Sequence, residues 1–246
     1  VVIFRDSVTV TLGDDTSVRR RPGLALDKMA ISVGQRVEIL GTITSAPSAE
    51  ATTLDATAGR VRLLVTQLAG LVSASNPGQL NVDLASIDRR PAGLFDFSGT
   101  GLSPAVDADP SDYEVATGQL PLADVATGDA VRLSGFVQPF GAAPQDFNAF
   151  TVVGLTTRGA RLALGWWPEG TTAPFLALGA DGIVPDLANP DLGARHVILV
   201  GGVPVDLLDR PAAPTLVPPA SGPTRYAILK GPRVLVYPDF ASLAAA

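Results

Sequence analysis

The chain of 246 residues carries a net charge of −6, no cysteine, one histidine, 25 glycines and 21 prolines. The negative balance argues against the phosphate-neutralising surface of a nucleic-acid binder. The missing cysteines remove disulfides, thiolate nucleophiles and Cys-based zinc sites, and no run approaches the ~20 apolar residues that span a bilayer as a helix.

Glycine and proline at this frequency, without a collagen-like period, cut the sequence into many short strands and turns. Val1 to Leu12 alternates through Val2, Phe4, Val8 and Val10 and predicts a long first strand. Gly13-Asp14-Asp15 predicts a turn, Thr16 to Arg20 a second strand, and Leu24 to Ala30 a short helical turn. Strands are expected at Thr52 to Thr57 and Gly59 to Val65, with a break over Ser73 to Gly78 where Asn76-Pro77-Gly78 stands. Leu80 to Leu84 alternates again, as does Gly93 to Phe97. A loop rich in Gly, Ser, Asp and Pro runs from Gly99 to Asp112, before strands at Tyr113 to Val115 and Leu120 to Val125. Further on, Ala160 to Gly165 and Val197 to Gly201 read as strands, Tyr226 to Leu229 and Arg233 to Tyr237 as a hairpin, and Asp239 to Ala246 as a short helical tail. Beginning at Val1 without a leader pattern, the chain reads as a mature or trimmed form.

One stretch recurs. Val33-Gly34-Gln35-Arg36-Val37-Glu38-Ile39-Leu40-Gly41-Thr42-Ile43 returns as Thr127-Gly128-Asp129-Ala130-Val131-Arg132-Leu133-Ser134-Gly135-Phe136-Val137. In both copies a glycine turn leads into an alternating strand, and a second glycine stands seven residues after the first. A glycine inside a strand packs nothing, so it marks a bulge, a bend or a close backbone approach. After each copy comes a related strand, Leu54-Asp55-Ala56-Thr57 and Phe147-Asn148-Ala149-Phe150. Gly193 to Gly201 is a looser echo.

Strands Val37 to Gly41 and Val131 to Gly135, each followed by a hydrophobic-x-Ala strand, resemble the OB-like β-barrel repeat domains of uncharacterised exported bacterial proteins over the first ~155 residues. The resemblance implies an all-β fold of tandem small Greek-key (OB-like) barrels and an envelope location. The units expected are 1–75, 76–156 and a third β-rich segment, 157–246. The resemblance carries no catalytic residue, and OB-like folds bind oligonucleotides, sugars or proteins alike.

The chemistry-bearing residues are few. His196 is the sole imidazole, sits in a strand pattern and has no Gly-x-Ser-x-Gly elbow to accompany it. Arg19-Arg20-Arg21 reads as a solvated strand end, or as an anion contact. Asp107, Asp109 and Asp112 cluster in one loop, with two readings: oxygen ligands for calcium, or Asx-turn chemistry. Trp166 and Trp167 are adjacent, so in a strand one faces the core and the other is left for an interface or a stacked sugar ring. Phe136, Phe140, Phe147 and Phe150 read as core.

Three functions follow in order of preference. The first is a non-catalytic structural or protein-interaction module of the bacterial cell envelope or surface, self-assembling through exposed strands such as Val1 to Leu12. The second is a carbohydrate- or small-ligand-binding module on Trp166 or Trp167, with calcium at the Asp107 loop. The third is a carboxylate-dependent hydrolase.

Overall fold

A computed structural model describes residues 8–21, 24–45, 52–155, 160–163, 175–179, 182–189, 197–207, 215–217, 225–230 and 233–246. The fold is all-β, and among the described residues the only α-helix is five residues long. No helix among them is long and apolar enough to cross a membrane. The chain divides into two compact units, Val1–Gly159 and Ala160–Ala246. A division at 75/76 would fall on the last residues of one strand of a hairpin inside the first unit.

The first sheet contains β1 (Val8–Leu12), β2 (Ser17–Arg21), β3 (Leu24–Leu26), β4 (Val37–Ile43) and β5 (Thr52–Leu63). Strand β5 is its axis. β1 lies parallel to its first half, with Val8 opposite Thr52, and β2 lies parallel to its second half, with Val18 opposite Val61. β4 runs antiparallel to β5, from Val37 opposite Leu63 to Ile43 opposite Leu54. Between β1 and β2, Thr16 Oγ1 accepts from Gly13 N–H at 2.8 Å and donates to Ala56 carbonyl at 2.7 Å. That bond pins the turn to β5 and satisfies a hydroxyl that is buried. Val18, Val61 and Leu63 form the core here, with Leu12, Leu26, Val37, Ile39 and Phe136 packed against them.

The second sheet contains β6 (Thr66–Asn76), β7 (Gln79–Ile87), β8 (Arg90–Pro91), β9 (Tyr113–Ala116), β10 (Ala130–Val137) and β11 (Phe147–Gly154). β6 pairs with β7, β7 with β9, β9 in parallel with β11, β11 with β10, and β10 with β6. The ladder thus returns to its starting strand, and β8 is a short addition to β7. The inward residues, Leu68, Val72, Leu80, Val82, Leu84, Tyr113, Val115, Val131, Leu133 and Phe147 among them, make one buried cluster. They alternate along most of the strands with half-buried or exposed positions, as a strand with one face on the core requires.

The recurring glycines have the same geometry in both places. Gly34 and Gly128 have φ of 81° and 90°, and Gln35 N–H and Asp129 N–H close their turns on Ser32 and Ala126 carbonyls. Glycine is the residue that adopts such a φ at the third position of a turn without strain. The register shifts at Leu40/Thr42 in β4 and at Ser134/Gly135 in β10. A Cβ on Gly41 would collide with Asp55 carbonyl, and one on Gly135 with Asn148 carbonyl and the Phe147 ring. Bulge and close approach, both expected of these glycines, coincide.

Several expectations are corrected. Leu24 to Ala30 is strand β3 followed by a 3-10 turn at Lys28–Ala30, which Asp27 caps by accepting from Met29 N–H. The two strands expected between Thr52 and Val65 are one continuous β5, and β6 runs through Ser73 to Asn76 before turning at Pro77-Gly78. Gly93 to Phe97 begins with a 3-10 turn, and Leu120 to Val125 is a loop. In that loop turns close from Leu120 N–H to Thr117 carbonyl and from Val125 N–H to Leu122 carbonyl. Pro121 cannot donate to a ladder, and Leu122 and Val125 instead reach the core from the loop.

The two sheets of this unit are joined at Gln35. Its Nε2 donates to Leu64 carbonyl at 2.7 Å and Arg36 carbonyl at 2.8 Å, and its Oε1 accepts from Val137 N–H at 3.1 Å. Thr66 Oγ1 also accepts from Arg36 N–H at 2.9 Å. The recurring segment therefore does two things: its strand lines one core, and its turn holds the neighbouring sheet.

The second unit contains β12 (Ala160–Ala163), β13 (Phe175–Gly179), β14 (Gly182–Pro185), β15 (Val197–Val200), β16 (Val203–Asp206), β17 (Tyr226–Lys230), β18 (Arg233–Tyr237) and α1 (Phe240–Ala244). β15 pairs with β12 and β16; β13 pairs with β14, and β17 with β18. The expected hairpin and helical tail are both present, the helix capped by Asp239 accepting from Ser242 N–H at 2.7 Å.

Candidate functional site

Trp166, Trp167 and His196 lie outside the described residues. The three aspartates of the long loop are described, and each is engaged locally. Asp107 accepts from Gly99 N–H at 3.0 Å and Gly101 N–H at 2.8 Å, closing the loop on itself. Asp109 accepts from the hydroxyl and the N–H of Ser111, bonds that hold its carboxyl below the usual range and cap the 3-10 turn at Pro110–Asp112. Asp112 accepts from Asn81 Nδ2 at 2.9 Å. No group of three or more His, Cys, Asp or Glu among the described residues is placed to hold a metal ion. Turn chemistry accounts for the Asp107 bonds, so Asp107→Ala is expected to cost about 1–2 kcal/mol by orphaning two backbone donors. Urea unfolding in calcium-free and calcium-containing buffer checks this: the same loss in both is the expected result.

Asp112 leads to a site that the sequence did not single out. On the outer face of β7, Gln79 Nε2 donates to Asn81 Oδ1 at 3.1 Å, and Gln145 Nε2 reaches Gln79 Oε1 at 3.4 Å. With the Asn81–Asp112 bond this makes a continuous row, Gln145, Gln79, Asn81, Asp112. Asn81 stands directly opposite Glu114 of β9. The row exists because β7 alternates: Leu80 and Val82 fill the core, so Gln79 and Asn81 must face outward.

Beneath this face Asp146 is 4% exposed. Its Oδ2 accepts from Glu114 N–H at 2.8 Å. Burial pushes its carboxyl up to about 6; the Glu114 N–H bond opposes the shift, and the charges of Glu114, Asp109 and Asp112 reinforce it. Tyr113 beside it is fully buried against Phe97, with ring centroids 5.9 Å apart, and burial raises its phenol far above the usual range. Its Oη has no hydrogen-bond partner. The sequence signal for Gln79, Asn81 and Glu114 was their outward place in the alternation; nothing in it pointed to Gln145 or Asp146, which a loop brings in.

A second surface feature lies on the first sheet's side. The Arg20 guanidinium stacks on Phe136 at 3.5 Å from the ring centroid, and Phe136 meets Phe150 at 6.1 Å. Of the four phenylalanines expected in the core, Phe147 is buried, Phe136 and Phe140 are half-buried, and Phe150 is 49% exposed because it is the extra residue of the β11 bulge. Of the strand expected from Val1 to Leu12 to serve assembly, residues 1–7 lie outside the described residues; the remainder, β1, lies at the edge of its sheet among the described residues.

No protein family, curated protein or solved structure compared with the chain matches it.

Proposed function

We propose that the chain is a non-catalytic protein-interaction module that docks a basic partner segment on the outer face of β7 and β9. The observation that carries this is the hydrogen-bonded row Gln145, Gln79, Asn81 and Asp112 beside Glu114. Amides already oriented by one another lose little freedom on binding, and the neighbouring carboxylates favour a partner of opposite charge.

The reading includes an OB-like barrel for residues 66–154. Its support is the pairing order, in which the first, second, third, fifth and fourth strands follow one another and the fourth returns to the first, with a parallel third–fifth pair. Ligands of such barrels sit on the face of the second and third strands, here β7 and β9. A tandem arrangement is part of the same proposal. It is supported by the way β4, β5 and parallel β1 match β10, β11 and parallel β9, with a register shift beside a glycine in each. The envelope location belongs to the proposal through the resemblance alone.

The test is fluorescence polarisation with basic, neutral and acidic peptides at low and physiological salt. Binding of Lys/Arg-rich peptides, weakened by salt and about tenfold by Asn81→Ala with Glu114→Gln, is the expected result. Equal binding of all three classes, or binding indifferent to the two substitutions, would reject the proposal.

A further inference from the structure

Asp146 stands where three stretches of backbone meet. Its N–H donates to Glu114 carbonyl and its own carbonyl accepts from Gln138 N–H, each at 2.8 Å. Its carboxylate takes Glu114 N–H, which has reached the end of the β9–β11 pairing. One residue thus fastens the loop 138–146 to β9 through side chain and main chain together. The loop is held elsewhere by Phe140 N–H on Met29 carbonyl and by Ala143 N–H on Thr100 carbonyl.

The charged groups facing Asp146 are all acidic: Glu114 from β9, and Asp109 and Asp112 from the preceding turn. Tyr113 and Asp146 line the same small pocket, with Thr100 and Gln138, and Tyr113 Oη has no hydrogen-bond partner. A buried carboxylate among like charges is disfavoured in its ionised form. Protonation removes the repulsion, and the Glu114 N–H bond, which the ionised carboxylate accepts more strongly, is the one contact that opposes it.

We propose that Asp146 is a proton-operated latch: taking up a proton in mildly acidic solution closes the 138–146 loop onto β9, and releasing it near neutral pH loosens that loop. The sign follows from linkage. The folded-state value, about 6, lies above the ordinary 3.8, so the folded chain holds this proton more tightly than the unfolded one. The stabilisation is fully present below the unfolded value and is lost as pH rises through the folded one. The latch needs no ligand, so it stands or falls apart from the docking face.

The test is a carbon-detected NMR titration of the aspartate carboxyls in the full chain, with amide shifts followed in parallel. The expected result is an Asp146 midpoint near 6, with the Gln138, Glu114 and Gln145 amides moving at the same midpoint. In Asp146→Asn, which carries the donor permanently, those amides should keep their acid-form positions from pH 5 to 8. A midpoint at the ordinary carboxylate value, or a midpoint near 6 that those three amides ignore, overturns the latch. Should the variant not fold, the wild-type titration alone decides.

Discussion

Alanine at Gly135 is expected to lower the stability of the first unit by about 3 kcal/mol, or roughly 6–12 °C in melting temperature for a unit of this size. The added Cβ would stand against Asn148 carbonyl and the Phe147 ring. Neither yields cheaply: the carbonyl belongs to the β11 backbone, and Phe147 is completely buried. Strand β10 must then move away from β11 at the bulge, and β10 also carries the pairing to β6. The control is Gly128→Ala, where the added Cβ meets nothing within 4 Å and only the φ of 90° is strained. That change should cost only about 1 kcal/mol. Gly41→Ala, against Asp55 carbonyl, should resemble Gly135→Ala. Equal small losses at all three positions, measured by thermal melts followed by circular dichroism, would contradict the close-approach account.

Gln35→Ala is expected to cost about 3 kcal/mol by a different route. It leaves Val137 N–H and Leu64 carbonyl without the side chain that joins them, while Arg36 carbonyl keeps Leu64 N–H, and each buried orphan carries a desolvation penalty of about 1–3 kcal/mol. Because these groups belong to both sheets of the unit, the loss should also separate their unfolding. Hydrogen exchange is then expected to accelerate more at β4 and β5 than at β7 and β9, since the second cluster is the larger. Gln35→Glu keeps an acceptor for Val137 N–H but sets a buried carboxylate against the Leu64 and Arg36 carbonyls, so its stability should fall at least as far as alanine's. Uniform acceleration across both sheets would remove Gln35 as their joint.

What the sequence disclosed was local. The recurring glycines announced a turn and a bulged strand because φ and backbone clearance are properties of single positions. Alternation located most strands. It failed at Leu120 to Val125, where Leu122 and Val125 enter the core from turns, and at Thr52 to Val65, where Gly59 does not end β5. Both failures have one cause: apolar spacing records which residues are buried, not whether the backbone between them is paired.

The candidate site was harder to read because it depends on register. Asn81 and Glu114 become neighbours only when β7 and β9 pair, and Asp112 joins them only through the turn that Asp109 caps. The loop aspartates drew attention as a cluster of like residues, yet each closes a separate hydrogen-bonded piece of loop or face. Asp146 gave no sign, standing just before the strand expected at Phe147; its burial comes from the loop that folds over it.

The docking face is tested most directly by a ¹⁵N amide titration of the full chain with a Lys/Arg-rich peptide. The account predicts that the largest shifts fall on Gln79, Asn81, Glu114 and Gln145 and saturate together. Largest shifts at Arg20, Phe136 and Phe150, or within residues 160–246, would contradict it.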